Sequence, residues 1–155
     1  MPSIEDRIQA IEDRDEIREL TARYCHAVRD GAGEAVVDLF TEDGALEMND
    51  RKFEGHGELR QAYGASMRQP TPRAFIQNHV IDLDGDRATG QCSVEIRAVE
   101  KGRAFTAAGH YDDTYRRDNG SWRFARRLLH IYHWVPLADG WGDDAEGTGP
   151  PNPLE

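Results

Sequence analysis

Cysteine is nearly absent. The chain has 2 cysteines in 155 residues, Cys25 and Cys92, with no metal-type spacing, so a disulfide scaffold and a cysteine-ligated zinc site are excluded and two buried free thiols are expected. Long apolar runs are missing as well. The opening MPSIEDRIQAIEDRDEIREL is broken by charge throughout, so neither a secretory segment nor a membrane span is expected, and a cytoplasmic location is the working expectation. Positive charge is scarce: Lys+Arg 19 against Asp+Glu 29 gives a net charge of -10, which repels phosphate backbones and anionic lipid surfaces. Neither a nucleic-acid partner nor a membrane partner is expected. Also lacking are a phosphate-cradling glycine loop, a dinucleotide fingerprint and a Ser or Cys nucleophile elbow, so no organic cofactor is expected. No metal is expected either. DLDGDRATG starts like a calcium loop but lacks its sixth-position glycine and terminal glutamate, and the two histidines of HIYH, three apart on a strand, should point to opposite faces.

What is present reads as helices first and a sheet afterwards. Ile4, Ile8, Ile11, Ile17, Leu20, Tyr24, Ala27 and Val28 keep helical spacing behind a capping-box start at Ser3 and Asp6, with a break expected at EDRDE. EAVVDLF and HGELRQAYGASM read as two further helices, with ALEM a strand between them, and the prolines of QPTPR stop the third helix. From residue 74 the period becomes two. AFIQNHVIDL, RATGQCSVEIRAV, RAFTAAGHYDDTYRR and SWRFARRLLHIYHWV are strand candidates linked by DGD, EKGR and RDNGS, an antiparallel meander. The expected fold class is α+β, with one face of a curved sheet wrapped on the helices. Residues 1–137 form the domain, and 138–155 are a Gly/Pro/acid-rich tail expected to be disordered or draped over a neighbouring subunit.

Three runs in order, IRELTARYCHAVRDGAGEAVVDLFTEDGALEM, QNHVIDLDGDRATG and GHYDDTYRRDNGSWRFARR, resemble the SnoaL-like branch of the nuclear transport factor 2-like superfamily over roughly residues 3–135. The resemblance implies a cone: N-terminal helices closing a strongly bent mixed sheet, with an apolar pocket at its mouth. It also implies pairing through the outer sheet face, hence a homodimer or homotrimer. The superfamily holds isomerases, dehydratases, dehydrochlorinases, cyclases, and non-catalytic modules such as the small subunit of ring-hydroxylating dioxygenases. Function must therefore come from the site.

On the residues themselves, Tyr24 lies on the apolar stripe with Leu20 and Val28 and is either a buried hydrogen-bonded phenol or a site residue. The resemblance sets it where ketosteroid isomerase and bile acid 7α-dehydratase carry their active-site tyrosine. Strict alternation groups Phe75, Gln77, His79, Ile81 and Leu83 on one face, and either face can be inward. The resemblance selects His79, which aligns with the catalytic histidine of bile acid 7α-dehydratase and scytalone dehydratase. Tyr111, Asp113 and Tyr115 alternate on one face, with Asp113 either structural or orienting a histidine. Alternation from Trp122 puts Arg126, His130, Tyr132 and Trp134 on one face, and His130 aligns with a site arginine of the bile acid enzyme.

The expected set is thus Tyr24, His79 and Asp113 as catalytic, with His130, Tyr111, Tyr132, Leu20, Val28 and Phe75 lining the pocket. Departures accompany it. By the resemblance Met48, Arg23 and Ile96 stand where relatives carry acids, with Glu47 on the far side of its strand, so a dyad with His79 would need another helper, Glu95, Asp113 or Asp30. The implied reaction is a cofactor-free proton abstraction next to a carbonyl on a small apolar ring-containing substrate, of dehydratase type. The alternative is a non-catalytic ligand-binding module or small structural subunit.

Overall fold

The computed structural model describes residues 1–48, 50–64 and 71–140. Three helices, α1 (Ile4–Arg29), α2 (Gly33–Val37) and α3 (Gly55–Tyr63), accompany six strands: β1 (Phe40–Met48), β2 (Arg51–Glu54), β3 (Arg73–Asp84), β4 (Arg87–Glu100), β5 (Arg103–Asp118) and β6 (Ser121–Pro136). The strands make one mixed sheet in the order β2-β1-β6-β5-β4-β3, with β1 and β6 parallel and every other pair antiparallel. The helices pack on one face, called inner below.

The capping box forms as expected, Ser3 and Asp6 each accepting from the other's backbone N–H. The break at EDRDE does not. Asp13 turns inward and accepts from Trp122 Nε1 at 3.1 Å, Arg117 at 2.8 Å and Gln9 at 3.1 Å, while Glu12 and Asp15 stay in water. A charged mid-helix residue is tied to β5 and β6, so α1 runs straight through. Ahead of it Ile4, Ile8 and Ile11 are exposed, and the apolar stripe is buried only from Ile17 through Leu20, Tyr24 and Val28.

The meander is closed by turns whose residues take φ > 0: Gly85, Lys101–Gly102 and Asn119–Gly120. The core between helices and sheet is built on Ile17, Val36, Val37, Phe40, Leu46, Leu59, Tyr115 and Phe124, all sealed from solvent. Truncating one of its aromatic residues to alanine costs about 3–5 kcal/mol. The short strand β2 was not foreseen. The domain boundary expected at 137 falls one residue after β6, and residues 141–155 of the expected tail lie outside the described residues, as do 65–67 of the third helix candidate.

Three β-bulges in the antiparallel pairing of β3 and β6 decide which of their side chains face the helices. In β3 the residues Asn78 and His79 stand opposite Cys92 alone, between the pairs Gln77–Ser93 and Val80–Gln91. In β6 Ala125 is extra between the partners of Tyr115 and Thr114, and Tyr132 is extra between those of Gly109 and Ala108. Each inserted residue reverses the alternation beyond it. Inward positions in β3 are therefore Ala74, Ile76, His79, Ile81 and Leu83, and in β6 Trp122, Phe124, Arg127, Leu129 and Ile131.

Candidate active site

His79 owes its position to the first bulge. Asn78 takes φ 56°, a left-handed conformation that asparagine tolerates and that re-aims the next side chain. Diagonally across on β4, Gly90, the partner of Ile81, supplies space. A Cβ there would stand 2.9 Å from Tyr115 Cε2 and 3.1 Å from His79 Nε2, so a larger residue would separate the pair.

The Tyr115 hydroxyl donates to Asp113 Oδ2 at 2.9 Å, and its oxygen faces His79 Nε2 at 3.1 Å. With its single hydrogen committed to the carboxylate, the phenol oxygen accepts from Nε2–H, which leaves the lone pair on Nδ1. Burial, then the positive charges of Arg127 and Arg18, pull His79 down from 6.5 to about 4, so at neutral pH it is an uncharged base. Burial raises Asp113 to about 6 despite Arg127 and the Tyr115 hydrogen bond, so it is ionised at pH 7. Among the three acids considered as helper, Asp30 is exposed and bound to Arg29, and Glu95 is on the outer sheet face. Asp113 is the one of the three connected to His79, through Tyr115 rather than by direct contact.

Arg127 is the residue that alternation missed. It is 0% exposed, its Nε is 3.4 Å from Asp113 Oδ1, and its guanidinium carbon lies 3.6 Å, 4.1 Å and 4.6 Å from the ring centroids of Tyr111, Tyr24 and Phe124. Burial opposes its charge, and Asp113 with Tyr111 and Tyr24 outweighs that, so it stays protonated. Among the described residues none of its three nitrogens makes a hydrogen bond. A buried guanidinium so placed is held by an ion pair and ring faces, with N–H groups to offer an anion. Tyr24 hydrogen-bonds Tyr63, hydroxyl to hydroxyl, at 2.6 Å. Among the described residues a pair sharing one hydrogen bond retains one unused O–H, and burial raises both phenols, keeping them donors rather than phenolates.

Tyr24, Tyr111, Asp113, Leu20 and Val28 are therefore all buried on the inner face with His79. Tyr24 and His79 are linked through Arg127 and not by a hydrogen bond to each other. Three expectations fail. Phe75 is 49% exposed on the outer face, since the bulge puts it out of phase with His79. His130 pairs with His110 across the outer face, because Ala125 shifts Arg127 inward in place of Arg126. Tyr132 is the second bulge residue of β6, 41% exposed, bonded to His110. Tyr63 was also missed, and its place in the third helix candidate was its only signal. At the departures, Met48 packs against the core, Glu47 binds Arg126 on the other side at 2.9 Å, Arg23 pairs with Glu19 in solvent and Ile96 is buried.

A six-stranded mixed sheet covered by helices on one face is an α+β architecture, and the chain is similar to a Novosphingobium aromaticivorans protein described as NTF2-like with a cystatin-like fold, at 26% identity and TM-score 0.70, covering 83% of this chain and 90% of that one. Residues 9–128 match the SnoaL-like domain, and the chain belongs to that family. It is similar to Rv3472, a Mycobacterium tuberculosis protein of unknown function, at 31% identity and TM-score 0.73, covering 81% of this chain and 74% of that one. It is also similar to a Novosphingobium aromaticivorans protein provisionally named an aromatic ring hydroxylase, at 29% identity and TM-score 0.74, covering 83% and 96%. A curated Rhizobium meliloti (strain 1021) protein named inositol-1-monophosphatase is 30% identical over 129 residues, 76% of this chain and 44% of that protein. The chain thus spans less than half the length of that curated relative.

Proposed function

We propose that the chain is a cofactor-independent lyase of dehydratase type, acting on a small apolar ring-containing substrate that carries a carbonyl. What supports this most is one arrangement: a neutral histidine, fixed in tautomer by Tyr115 and Asp113, on the same inner face as a guanidinium whose N–H groups are unused among the described residues. Nδ1 of His79 takes the proton α to the carbonyl, and the C–H electron pair moves onto the carbonyl as an enolate. Arg127 meets the charge that develops on that oxygen, in surroundings where it is screened little. The enolate then expels the β-hydroxyl, which leaves as water on receiving the proton from the His79 imidazolium, while the spare O–H of the Tyr24–Tyr63 pair hydrogen-bonds the departing oxygen. Asp113 and Tyr115 are positioning residues.

The test is turnover on a panel of cyclic β-hydroxy carbonyls and ring enones. His79→Ala should abolish it, and full activity in that variant would refute the assignment. A second reading, a small structural subunit, is favoured by the likeness to the protein provisionally named an aromatic ring hydroxylase. Co-purification of a stable larger subunit, with no turnover across the panel, would decide for it.

A further inference from the structure

The outer face of the sheet carries a cluster that the proposed reaction does not use. His110 and Asp112 on β5 and His130 on β6 offer ligand atoms that all lie within 4.8 Å of one another. The strand pairing explains the convergence. His110 is the cross-strand partner of His130, and Asp112 is two residues along on the same face. Asp112 Oδ2 stands 2.9 Å from His130 Nε2 and 3.3 Å from His110 Nε2. Such separations match edges of the ligand polyhedron around a first-row metal ion, whose bonds to imidazole nitrogen and carboxylate oxygen run about 2.0–2.2 Å.

We propose that His110, Asp112 and His130 form a divalent transition-metal site of zinc-binding type on the outer face, with a fourth position open to solvent or a further ligand. Two imidazoles and one carboxylate are the donor set of borderline cations such as Zn²⁺ and not of Mg²⁺ or Ca²⁺, which take oxygen. The supporting contacts are those of a built site. Tyr132 binds His110 Nδ1 at 2.5 Å, and a hydroxyl can accept from Nδ1–H, which frees Nε2 as the ligand atom. Gln91 donates to Asp112 Oδ1 at 2.7 Å and leaves Oδ2 for the ion. The neighbouring cation, Arg126, is occupied by Glu47 through two bonds of 2.9 Å, so Asp112 keeps its negative charge for the site. As they stand the two histidine rings stack at 4.5 Å and 23°. His130 is exposed and free to turn so that both ring planes contain the ion. The two histidines of HIYH do not point to opposite faces as expected, because Tyr132 is inserted between them and His133 pairs with Ala108 on the face of His110 and His130, but the ligand partner of His130 is His110 across the ladder.

The experiment is titration of the untagged full chain with Zn²⁺, and with Co²⁺ read by its visible d–d absorption. The expected result is one ion per chain. His110→Ala, Asp112→Asn and His130→Ala should each weaken binding by at least about tenfold, and Tyr132→Phe by about tenfold or more. His26→Ala, at an exposed histidine elsewhere, should leave it unchanged, and circular dichroism of each variant checks the fold. Unchanged Zn²⁺ affinity in both Asp112→Asn and His130→Ala, or equal saturation by Mg²⁺, overturns the proposal. The outcome is independent of the reaction on the inner face.

Discussion

Replacing Arg127 by methionine tests the central arrangement most directly. The Arg127 and Asp113 side chains are both 0% exposed, with Nε and Oδ1 3.4 Å apart, and three aromatic rings enclose the guanidinium. Methionine keeps the bulk and the ring contacts but leaves the Asp113 carboxylate buried without its counter-charge. Breaking a buried pair in this one-sided way costs about 3–5 kcal/mol. The cation–ring attraction, of order 2 kcal/mol when desolvated, is part of that loss and is not added to it. For a chain of this size each kcal/mol moves Tm by roughly 2–4 °C, so a fall of about 6–20 °C is expected. The loss should be smaller at acid pH. Without Arg127, Asp113 titrates above its present value of about 6 and folds in protonated form, so the variant becomes less stable as pH rises. The double variant Arg127→Met, Asp113→Asn removes both charges and should recover most of the stability, as replacement of whole buried pairs generally does. Urea denaturation of the three proteins at acid and alkaline pH is the assay. A single variant within about 0.5 kcal/mol of the parent, below the scale expected for a broken buried pair, or a double variant no more stable than the single, would refute the reasoning.

Tyr115→Phe removes the hydroxyl between His79 and Asp113 and should lower kcat about ten- to a hundredfold with little change in KM, because it frees the imidazole tautomer without touching substrate contacts. A purely structural role would show instead as lost stability with kcat intact, in steady-state kinetics beside thermal melts. The pH dependence of stability supplies a third prediction. His79, lowered from 6.5 to about 4, binds fewer protons folded than unfolded, so its contribution falls as pH drops through that interval. Asp113, raised from 3.8 to about 6, binds more protons folded, so its contribution falls as pH rises from about 4 to 6. The two oppose each other and flatten the parent profile. His79→Leu leaves the carboxyl alone and should lose stability as pH rises from about 4 to 6, read as urea midpoints, whereas parallel profiles for parent and variant would contradict it.

Much of the fold was legible because side-chain periodicity changes from helical to alternating at residue 74, and because the hairpin turns carry their own residues. Asp13 was not legible as a helix residue: a charge in the middle of EDRDE reads as solvated until Trp122 and Arg117 are brought to it from more than a hundred residues away. The site was harder for one physical reason. A bulge adds a residue without changing composition, so alternation counted across it gives the wrong face. In β6 the apolar phase does shift, from Trp122 and Phe124 to Leu129 and Ile131, and that shift was the signal for an inserted residue and for an inward Arg127. Leu128 next to Leu129 obscured it. In β3 Phe75, Ile81 and Leu83 keep one phase across the bulge, so the sequence offered a false continuity that included Phe75 and only by accident preserved His79.

The electrostatic coupling of Arg127 to His79 also makes the basicity of the imidazole conditional on the charge placed beside the guanidinium. The guanidinium helps suppress the imidazole's affinity for a proton. A molecule that brings negative charge against Arg127 cancels that suppression, and the histidine becomes more basic on loading than it is at rest. The imidazole thus resists protonation at rest, and an anion beside the guanidinium restores its affinity for a proton.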